Sequence, residues 1–378
     1  MIKTTHVGSL PRPTAMITKQ LRKEDISDDD LKGYVRELIE RQLSLGLSFI
    51  NNGELPRIDY ISSTIERIAG FNQSCTAPLP RDLEELPEYA RRFSGRNGLI
   101  MLNPKAPITL PACSEDVSYI GKTSLIQELD MMTGAFREVG SITDTSNSTL
   151  FFTAPSPGTV ALFLENQYYP DYETYLQHLG SVLQKEYEII ASYGVSLQID
   201  CPDLAMGRHT RYKHLNDNQF LSLIDTNIAV LNKALENIDQ NQCRAHICWG
   251  NYPGTHHCDI ELNSIFKHIM QLKPTYLSIE SCNHRHAHEY EVFNKYPFPE
   301  DKVLMPGVID TTSNTIEHPK LVAQRLLNFV DIIGPERVVA STDCGFASTA
   351  SATSVSGEVA WLKLQSLVDG AQLAEEKL

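Results

Sequence analysis

The amino-acid sequence predicts an α/β fold in which strands and helices alternate along the chain and the strands close into a (β/α)8 barrel. Within the 378 residues, about eight short apolar runs have the character of buried strands. Most of them are separated by stretches in which apolar residues recur at helical spacing. Such alternation implies a parallel sheet, and eight units favour closure into a barrel. Polar residues at the carboxyl ends of the strands are then expected to meet at one rim, where barrels of this kind carry their functional groups.

Each predicted strand is a short, mainly apolar run, and most of the runs end at a polar residue or glycine. The first lies within 4–13 and turns into a loop of Gly, Ser and Pro, and the second covers 47–53. The others follow in order along the chain: 148–154, 195–200, 244–250, 276–280, 302–310 and 338–344. Several of these runs end in an acid or a cysteine, so chemically reactive groups are concentrated at one end of the strands.

The predicted helices connect these strands and are marked by their apolar spacing. The first begins at the acidic stretch 27–30, which suits the positive end of the helix dipole, and stops at Gly46. Its apolar residues recur at helical spacing, namely Leu31, Val35, Leu38, Ile39 and Leu43. The remaining helices are expected at 172–193, 220–235, 262–272, 319–333 and about 358–368.

Residues 61–143 form the least regular part of the sequence. This segment contains six prolines, two short apolar runs at 99–102 and 108–110, and a stretch of helical character at 83–93. We therefore predict a single domain over 1–378, from which 61–143 departs as a long excursion that covers one end of the barrel.

The amino-acid composition limits the kinds of partner that this protein is expected to bind. The formal charge is −14, from 33 basic and 47 acidic residues, which disfavours binding to nucleic acid because phosphate neutralisation needs clustered Lys and Arg. No apolar run reaches the 18 residues that a membrane span requires. The eight cysteines are scattered and no secretion signal precedes them, so reduced thiols and a cytoplasmic location are expected.

A metal centre is predicted from the ends of three strands. His246 and Cys248 are two residues apart, so on a strand their side chains leave the same face. Glu280 ends the next strand, and Cys344 ends the last one. Taken singly, a buried Cys is usually a small hydrophobic residue and an acid at a strand end often caps the next helix. Together, a neutral imidazole, two thiolates and a carboxylate at one rim match the ligands that zinc prefers.

Other polar groups are expected near the same rim. Ser9 and the backbone amides around it are suited to holding a small anion. Two histidine-rich stretches, 256–258 and 284–288, are expected to be loop residues outside the coordination shell. For His284 and His286, a role as proton donor or as a contact for an anionic substrate stays open.

Seven short motifs together resemble the catalytic half of the cobalamin-independent methionine synthases. In chain order they are Val-Gly-Ser-Leu-Pro-Arg (7–12), Asn-Gly-Glu (52–54), Gln-Ile-Asp (198–200), His-Ile-Cys (246–248), Ser-Ile-Glu (278–280), Gly-Val-Ile-Asp (307–310) and Asp-Cys-Gly (343–345). Each is short, but their order and spacing span nearly the whole chain.

The resemblance implies a fold, a reaction and a set of roles. The fold is the TIM barrel of the uroporphyrinogen decarboxylase and methionine synthase type. The zinc ligands would be His246, Cys248, Glu280 and Cys344. Ser9, Glu54 and Asp200 would hold the carboxylate and the amino group of homocysteine, and Asp200 and Asp310 would be the catalytic residues. The implied activity is a zinc-dependent S-methyltransferase that acts on a small-molecule thiol and an alkyl donor, with a homo-oligomer left open.

One departure from the family leaves the alkyl donor open. Thr312 stands where the family has a histidine implicated in protonating the folate leaving group. Short single-barrel relatives include enzymes of the 2-hydroxyalkyl-coenzyme M lyase type, which use a zinc thiolate on another electrophile, and this is the first alternative. Retained Glu54 and Asp200 favour a thiol that carries an amino group. The second alternative is a metal-free enzyme resembling uroporphyrinogen decarboxylase, which would leave the four predicted ligands unexplained.

Overall fold

A computed structural model of the protein describes residues 2–22, 24–93, 109–347 and 353–378. The predicted apolar run at 99–102 and residue 108 lie outside these ranges. The strands are β1 (Lys3–Thr4), β2 (Phe49–Ile50), β3 (Ile68–Ala69), β4 (Gln73–Thr76), β5 (Thr109–Ala112), β6 (Ser118–Tyr119), β7 (Thr149–Pro155), β8 (Ser196–Asp200), β9 (Cys243–Ile247), β10 (Tyr276–Ile279), β11 (Val303–Ile309) and β12 (Val339–Thr342).

Eight of these strands form one parallel sheet that curves into a barrel. Their order is β1-β12-β11-β10-β9-β8-β7-β2, and every pair of neighbours is parallel. The two edges of the sheet meet, because the amide of Ser48 donates to the carbonyl of Thr4 at 3.0 Å. The carbonyl of Ser48 accepts in turn from the amide of Thr149 at 2.8 Å, which continues the pairing into β7. The predicted α/β barrel is thereby confirmed.

Helices surround the barrel and largely follow the predicted spacing. They are α1 (Thr14–Leu21), α2 (Asp28–Leu45), α3 (Tyr60–Arg67), α4 (Arg81–Glu85), α5 (Pro87–Phe93), α6 (Lys122–Gly140), α7 (Pro157–Phe163), α8 (Tyr172–Ser192), α9 (Asp217–Ala234), α10 (Leu262–Ile269), α11 (Val292–Lys295), α12 (Pro319–Ile333) and α13 (Gly357–Glu375). The side chain of Ser27 caps the amino end of α2 by accepting from the amide of Asp30. Gly46 ends the helix in the left-handed conformation, at φ 84°, which glycine adopts without strain.

The predicted excursion over 61–143 is too long, because its second half contains a regular helix of the barrel. α6 has 19 residues and packs against α2 and α8. Its buried apolar side chains recur at helical spacing, at Leu125, Leu129, Met132 and Val139. The prolines that precede this helix gave the whole segment an irregular appearance, although none lies within α6. The departure from the barrel is therefore confined to about 60–121.

The excursion reaches the rim formed by the carboxyl ends of the strands. Tyr89, in α5, donates a hydrogen bond to the carbonyl of Pro253 at 2.6 Å. Tyr252 donates to both carboxylate oxygens of Asp82, in α4, at 3.0 Å. Since 252 and 253 belong to the loop that follows β9, α4 and α5 lie against that loop.

A buried ion-pair network links residues near the start of the excursion to two helices of the barrel. Arg67, at the end of α3, pairs with Glu128 of α6 and with Glu186 of α8, the latter at 3.0 Å. Arg57 also pairs with Glu128, at 3.3 Å. Each buried charge therefore has an opposite charge within reach, as burial of charged groups requires.

No helix in the described parts of the chain is long and apolar enough to cross a membrane.

The assignment of α6 to the core predicts a large effect of truncation there. Leu129 is fully buried, so Leu129→Ala should lower the free energy of unfolding by about 2–5 kcal/mol through lost contacts and a residual cavity. Gln127, exposed on the same helix, supplies the control, and Gln127→Ala should change stability by less than about 0.5 kcal/mol. Denaturant unfolding of both variants measures the difference. Equal, small effects would place α6 outside the core.

Candidate metal centre

Three of the four predicted metal ligands converge at the rim. His246 lies in β9, Cys248 follows β9 directly, and Cys344 follows β12. Their ligand atoms all lie within 4.8 Å of one another. The two sulfur atoms are 3.9 Å apart. Residues separated by about one hundred positions in sequence thus form one compact group.

The sulfur separation suits a shared metal better than a disulfide. Two thiolates at about 2.3 Å from a tetrahedral zinc ion are about 3.8 Å apart, which follows from the tetrahedral angle. A disulfide would bring the sulfurs to about 2.05 Å. Both cysteines are free thiols in the structure. Their spacing is therefore that of a chelating pair.

The imidazole of His246 is oriented toward this group and leaves one nitrogen without a partner. Nδ1 lies 3.3 Å from the hydroxyl of Ser278 on the neighbouring strand. Nε2 is buried and has no hydrogen-bond partner among the described residues. Burial, together with the charge of Arg244, lowers the pKa of His246 to about 3, so the ring is neutral. A neutral ring whose second nitrogen is held by a hydroxyl has the form of a metal-ligating histidine.

Glu280, the fourth predicted ligand, lies beside this group and outside the three-atom cluster. Its carboxylate accepts from the amide of Trp249 at 3.1 Å and from the side-chain amide of Asn283 at 3.1 Å. Burial, followed by the proximity of Cys248 and Asp343, raises the pKa of Glu280 well above its usual value. The carboxyl group is thus buried next to the thiol of Cys248, in a position where a nearby cation would stabilise its charged form.

The two thiols have raised pKa values for related reasons. For Cys248 the hydrogen bond with Cys344 is the largest cause, and burial adds to it. For Cys344 that hydrogen bond lowers the pKa, but burial and the charge of Glu280 outweigh it. Three acidic groups packed in a low-dielectric site cannot all be charged without a compensating positive charge. The donor set fits a divalent metal such as zinc, whose binding would release these protons.

Asp343 organises the loop around Glu280. Its carboxylate accepts from three successive backbone amides, of Ser281, Cys282 and Asn283, at 2.8–3.0 Å. Gly307 leaves room for this carboxylate, because a Cβ there would lie 2.1 Å from Asp343 Oδ1. The sequence shows Asp343 as a polar residue at a strand end, but its contact with three amides depends on tertiary structure.

The three predicted substrate residues lie around the same rim. The hydroxyl of Ser9 accepts from the amide of Ala347 at 3.2 Å, and a Cβ on Gly345 would lie 2.1 Å from it. Ser9 is therefore packed against the residue that follows Cys344. Asp200 ends β8 and is paired in register with His246 of β9.

Glu54 lies close to the same region, in a strained backbone conformation. Its φ is 57°, in the left-handed region that residues other than glycine rarely adopt. Thr153 donates to its carboxylate at 2.7 Å, and a Cβ on Gly8, next to Ser9, would lie 2.6 Å from Oε1. Strain of this kind at a rim is typical of functional positions.

Asp310 and Thr312 lie in a cleft beside the metal-ligand group. The amide and hydroxyl of Thr312 both donate to Asp310, at 2.8 and 2.7 Å. The cleft is also lined by Glu280, Cys344, His284 and Arg285. Asp310 is therefore near two of the predicted ligands, and its carboxylate accepts hydrogen bonds from Thr312.

Sequence reasoning missed a buried histidine–carboxylate network next to this centre. His286 lies between Glu289, 2.6 Å from its Nδ1, and Asp259, 2.9 Å from its Nε2. His256 also contacts Asp259, at 3.0 Å. Trp249 packs on the His286 ring at a centroid distance of 4.4 Å. The histidine spacing marks this region, but only the fold shows which acids surround it.

The charge of His286 follows from these contacts. Burial lowers its pKa, but the hydrogen bonds with Asp259 and Glu289 outweigh that effect and raise the pKa to about 10. The ring is thus a buried cation with both nitrogens engaged by carboxylates. This arrangement supports the loop after β10 and leaves neither nitrogen available to a metal.

The sequence of this chain is similar to a family model and to named relatives that carry related descriptions. A family model described as "Cobalamin-independent synthase, Catalytic domain" matches residues 132–372. A protein named methionine synthase from Saccharolobus solfataricus is 23% identical over 393 residues, covering all of this chain and 96% of the relative. Another of that name, from Sulfurisphaera tokodaii, is 23% identical over 390 residues and 94% covered.

Two solved structures share the fold. One is a B12-independent methionine synthase from Shewanella sp. W3-18-1 in complex with selenomethionine, with a TM-score of 0.71 and 19% identity, covering 100% of this chain and 98% of the other. The second, described as a putative vitamin-B12 independent methionine synthase from Listeria monocytogenes, has a TM-score of 0.65 and 17% identity, covering 100% and 99%. At these identities the likeness establishes the barrel architecture.

The His286 network predicts a specific pH dependence of stability. Since the pKa is raised from 6.5 to about 10 in the folded state, the stabilisation is complete below pH 6.5 and is lost as the pH rises through about 10. As the pH rises from about 7 to about 9, the stabilising contribution of this group should decrease. The free energy of unfolding should therefore fall by up to about 1.4 kcal/mol per pH unit. Denaturant unfolding should show that contribution in the wild type and its loss in His286→Gln.

A second measurement covers the case in which the variant fails to fold. In the wild type, the imidazole resonances of His286 should not titrate below about pH 8, as NMR can measure directly. A midpoint near the ordinary value for histidine would contradict the assigned charge.

Proposed function

Because this chain belongs to the family of cobalamin-independent methionine synthases, we propose that it methylates the sulfur of homocysteine to give methionine. The residues proposed to hold the metal are His246, Cys248, Glu280 and Cys344, and the proposed metal is zinc. Sulfur and imidazole donors favour zinc over magnesium or calcium. The observation that carries the proposal is the meeting of one imidazole and two thiols within 4.8 Å, with a buried ring nitrogen that lacks a partner.

A bound zinc ion would supply the positive charge that keeps a substrate thiol as a nucleophilic thiolate at neutral pH. The residues of the chain prepare the site for this. Cys248 and Cys344 provide electron-rich donors. Glu280 provides a harder oxygen donor, and Asn283 and the amide of Trp249 are hydrogen-bonded to its carboxylate. Because each carboxylate oxygen accepts a hydrogen bond from the protein, Glu280 would keep these contacts if a substrate thiol took its place on a metal.

The acidic residues at the rim favour a thiol that carries an amino group. We propose that Glu54 and Asp200 bind the ammonium group of homocysteine and that Ser9 contacts its carboxylate. A sulfonate thiol such as coenzyme M has no ammonium group and would meet repulsion from both acids. These two carboxylates therefore support homocysteine over the lyase alternative.

The transfer step exchanges one bond for another. The thiol proton leaves first, a bond forms between sulfur and the methyl carbon, and the bond between the methyl group and its donor breaks with its electron pair leaving on the donor. A departing amine would need a proton donor close by. Thr312 is a weak acid whose hydroxyl already donates to Asp310 at 2.7 Å. We therefore propose a methyl donor whose leaving group requires no proton from this position.

Metal content and the zinc X-ray absorption edge test the centre. We expect Cys344→Ser to lose one tightly bound zinc, because a neutral hydroxyl replaces a thiolate ligand. Cys243→Ser, at the opposite end of β9, should keep it. In the wild type the sulfur count around zinc should rise when homocysteine is added.

Replacing Glu280, the proposed oxygen ligand, with cysteine tests whether a weak ligand is needed for turnover. Glu280→Cys should hold zinc at least as tightly as the wild type, show no change on adding homocysteine, and lose turnover, because no weak ligand is left to be displaced. Undiminished turnover in that variant would refute the role proposed for Glu280.

The role of Glu54 is tested with a matched pair of thiols. Glu54→Gln should raise KM for homocysteine by about 10–100-fold, which corresponds to the loss of a charge-assisted hydrogen bond of about 1.5–3 kcal/mol. With 4-mercaptobutyrate, which lacks the amino group, the same variant should differ little from the wild type. Equal losses with both thiols would show that Glu54 has a structural role instead.

A further inference from the structure

A second group of metal-binding side chains lies outside the candidate metal centre. Glu85 ends α4, and His257 and Cys258 belong to the loop that follows β9. One ligand atom from each of these residues lies within 4.8 Å of the other two. Glu85 is 172 positions from His257 in sequence, so the excursion and the barrel rim jointly build this group.

The distances within the group match the edges of a metal-centred tetrahedron. His257 Nε2 lies 3.0 Å from Glu85 Oε2, and Cys258 Sγ lies 3.6 Å from the same oxygen. For zinc at about 2.0–2.1 Å from nitrogen and oxygen and about 2.3 Å from sulfur, the corresponding edges are about 3.3 and 3.6 Å. Small side-chain shifts would therefore suffice to admit an ion.

Neighbouring groups orient two of these ligands. The hydroxyl of Thr255 pairs with His257 Nδ1 at 2.7 Å, which directs Nε2 toward Glu85. Arg81 donates to Glu85 Oε1 at 2.8 Å. The second oxygen, Oε2, is the one that lies near His257 and Cys258. Partners of this kind fix the ring and carboxylate positions in metal sites.

We propose that Glu85, His257 and Cys258 form a second, peripheral site for a divalent metal of the zinc class. Three protein ligands leave the fourth position to water, and binding releases the thiol proton of Cys258 to solvent. The side chains of Glu85 and His257 are each 42% exposed, so this ion should exchange more readily than one at the buried centre. The inference is independent of the proposed methyl transfer.

A metal here would connect α4 to the loop after β9. Hydrogen bonds from Tyr252 to Asp82 already make that connection, and the pair between Glu84 and Lys213 links α4 to the loop that follows β8. Because an ion would bind the folded arrangement and not the separated segments, it should stabilise the docked excursion. Residues 81–85 should therefore exchange their amide hydrogens more slowly when zinc is present.

Zinc titration of the metal-free full-length protein against a competing chelator tests the site. The wild type should bind two equivalents with different affinities. Cys258→Ser and Glu85→Gln should each lose the weaker one. Glu84→Gln is the matched control: it removes a carboxylate from the same helix that pairs with Lys213, and it should keep both equivalents.

Two results would overturn the inference. One is a wild type that binds a single equivalent, and the other is a second equivalent that survives in both Cys258→Ser and Glu85→Gln. Cys344→Ser separates this question from the proposed function, because it should lose only the tighter ion. Alkylation of Cys258, followed by mass spectrometry, should be at least tenfold slower with zinc. An unchanged rate would show that the three side chains form an ion pair and a free thiol only.

Discussion

The approach of Cys248 and Cys344 to 3.9 Å depends on closure of the barrel. β9 and β12 are not neighbours, because β10 and β11 lie between them in the sheet. In a flat sheet, with strands about 4.8 Å apart, their ends would be separated by about 14 Å. Only a curved sheet lets residues just beyond the two strands meet. The meeting of these two predicted ligands therefore requires the closed barrel.

Strand register then places the remaining groups around this pair of thiols. In the parallel ladder His246 lies opposite Ser278 on one side and Asp200 on the other. Glu280 follows Ser278 by two positions, which puts its side chain toward the same face. The result is a rim with several acids and thiols in a buried environment, where charge is costly unless it is paired. A single divalent cation at this rim would supply the positive charge with which these groups could pair.

The sequence predicts those features that depend on local periodicity and on strand ends. α12 has its predicted bounds, and three of the four predicted ligands converge within 4.8 Å because parallel strands all end at one rim. α6 was missed because proline-rich sequence before it obscured a helical spacing that begins at Leu125. The surroundings of His286 could be predicted only in part, since Glu289 lies three residues away on the same loop but Asp259 approaches from the loop that follows β9. The same limit applies to Asp343, whose carboxylate binds backbone amides that only the folded loop presents.

The excursion supports the candidate metal centre through the loop that follows β9. The amide of Gly250 in this loop donates to Cys248 Sγ at 3.2 Å. A few residues later, the carboxylate of Asp82 in α4 accepts from the hydroxyl of Tyr252 and from the amide of His256 at 2.9 Å. Asp82 therefore helps to fix the loop whose Gly250 amide donates to the thiol. Besides reaching the rim, the excursion thus holds the loop that carries a hydrogen-bond donor to a predicted metal ligand.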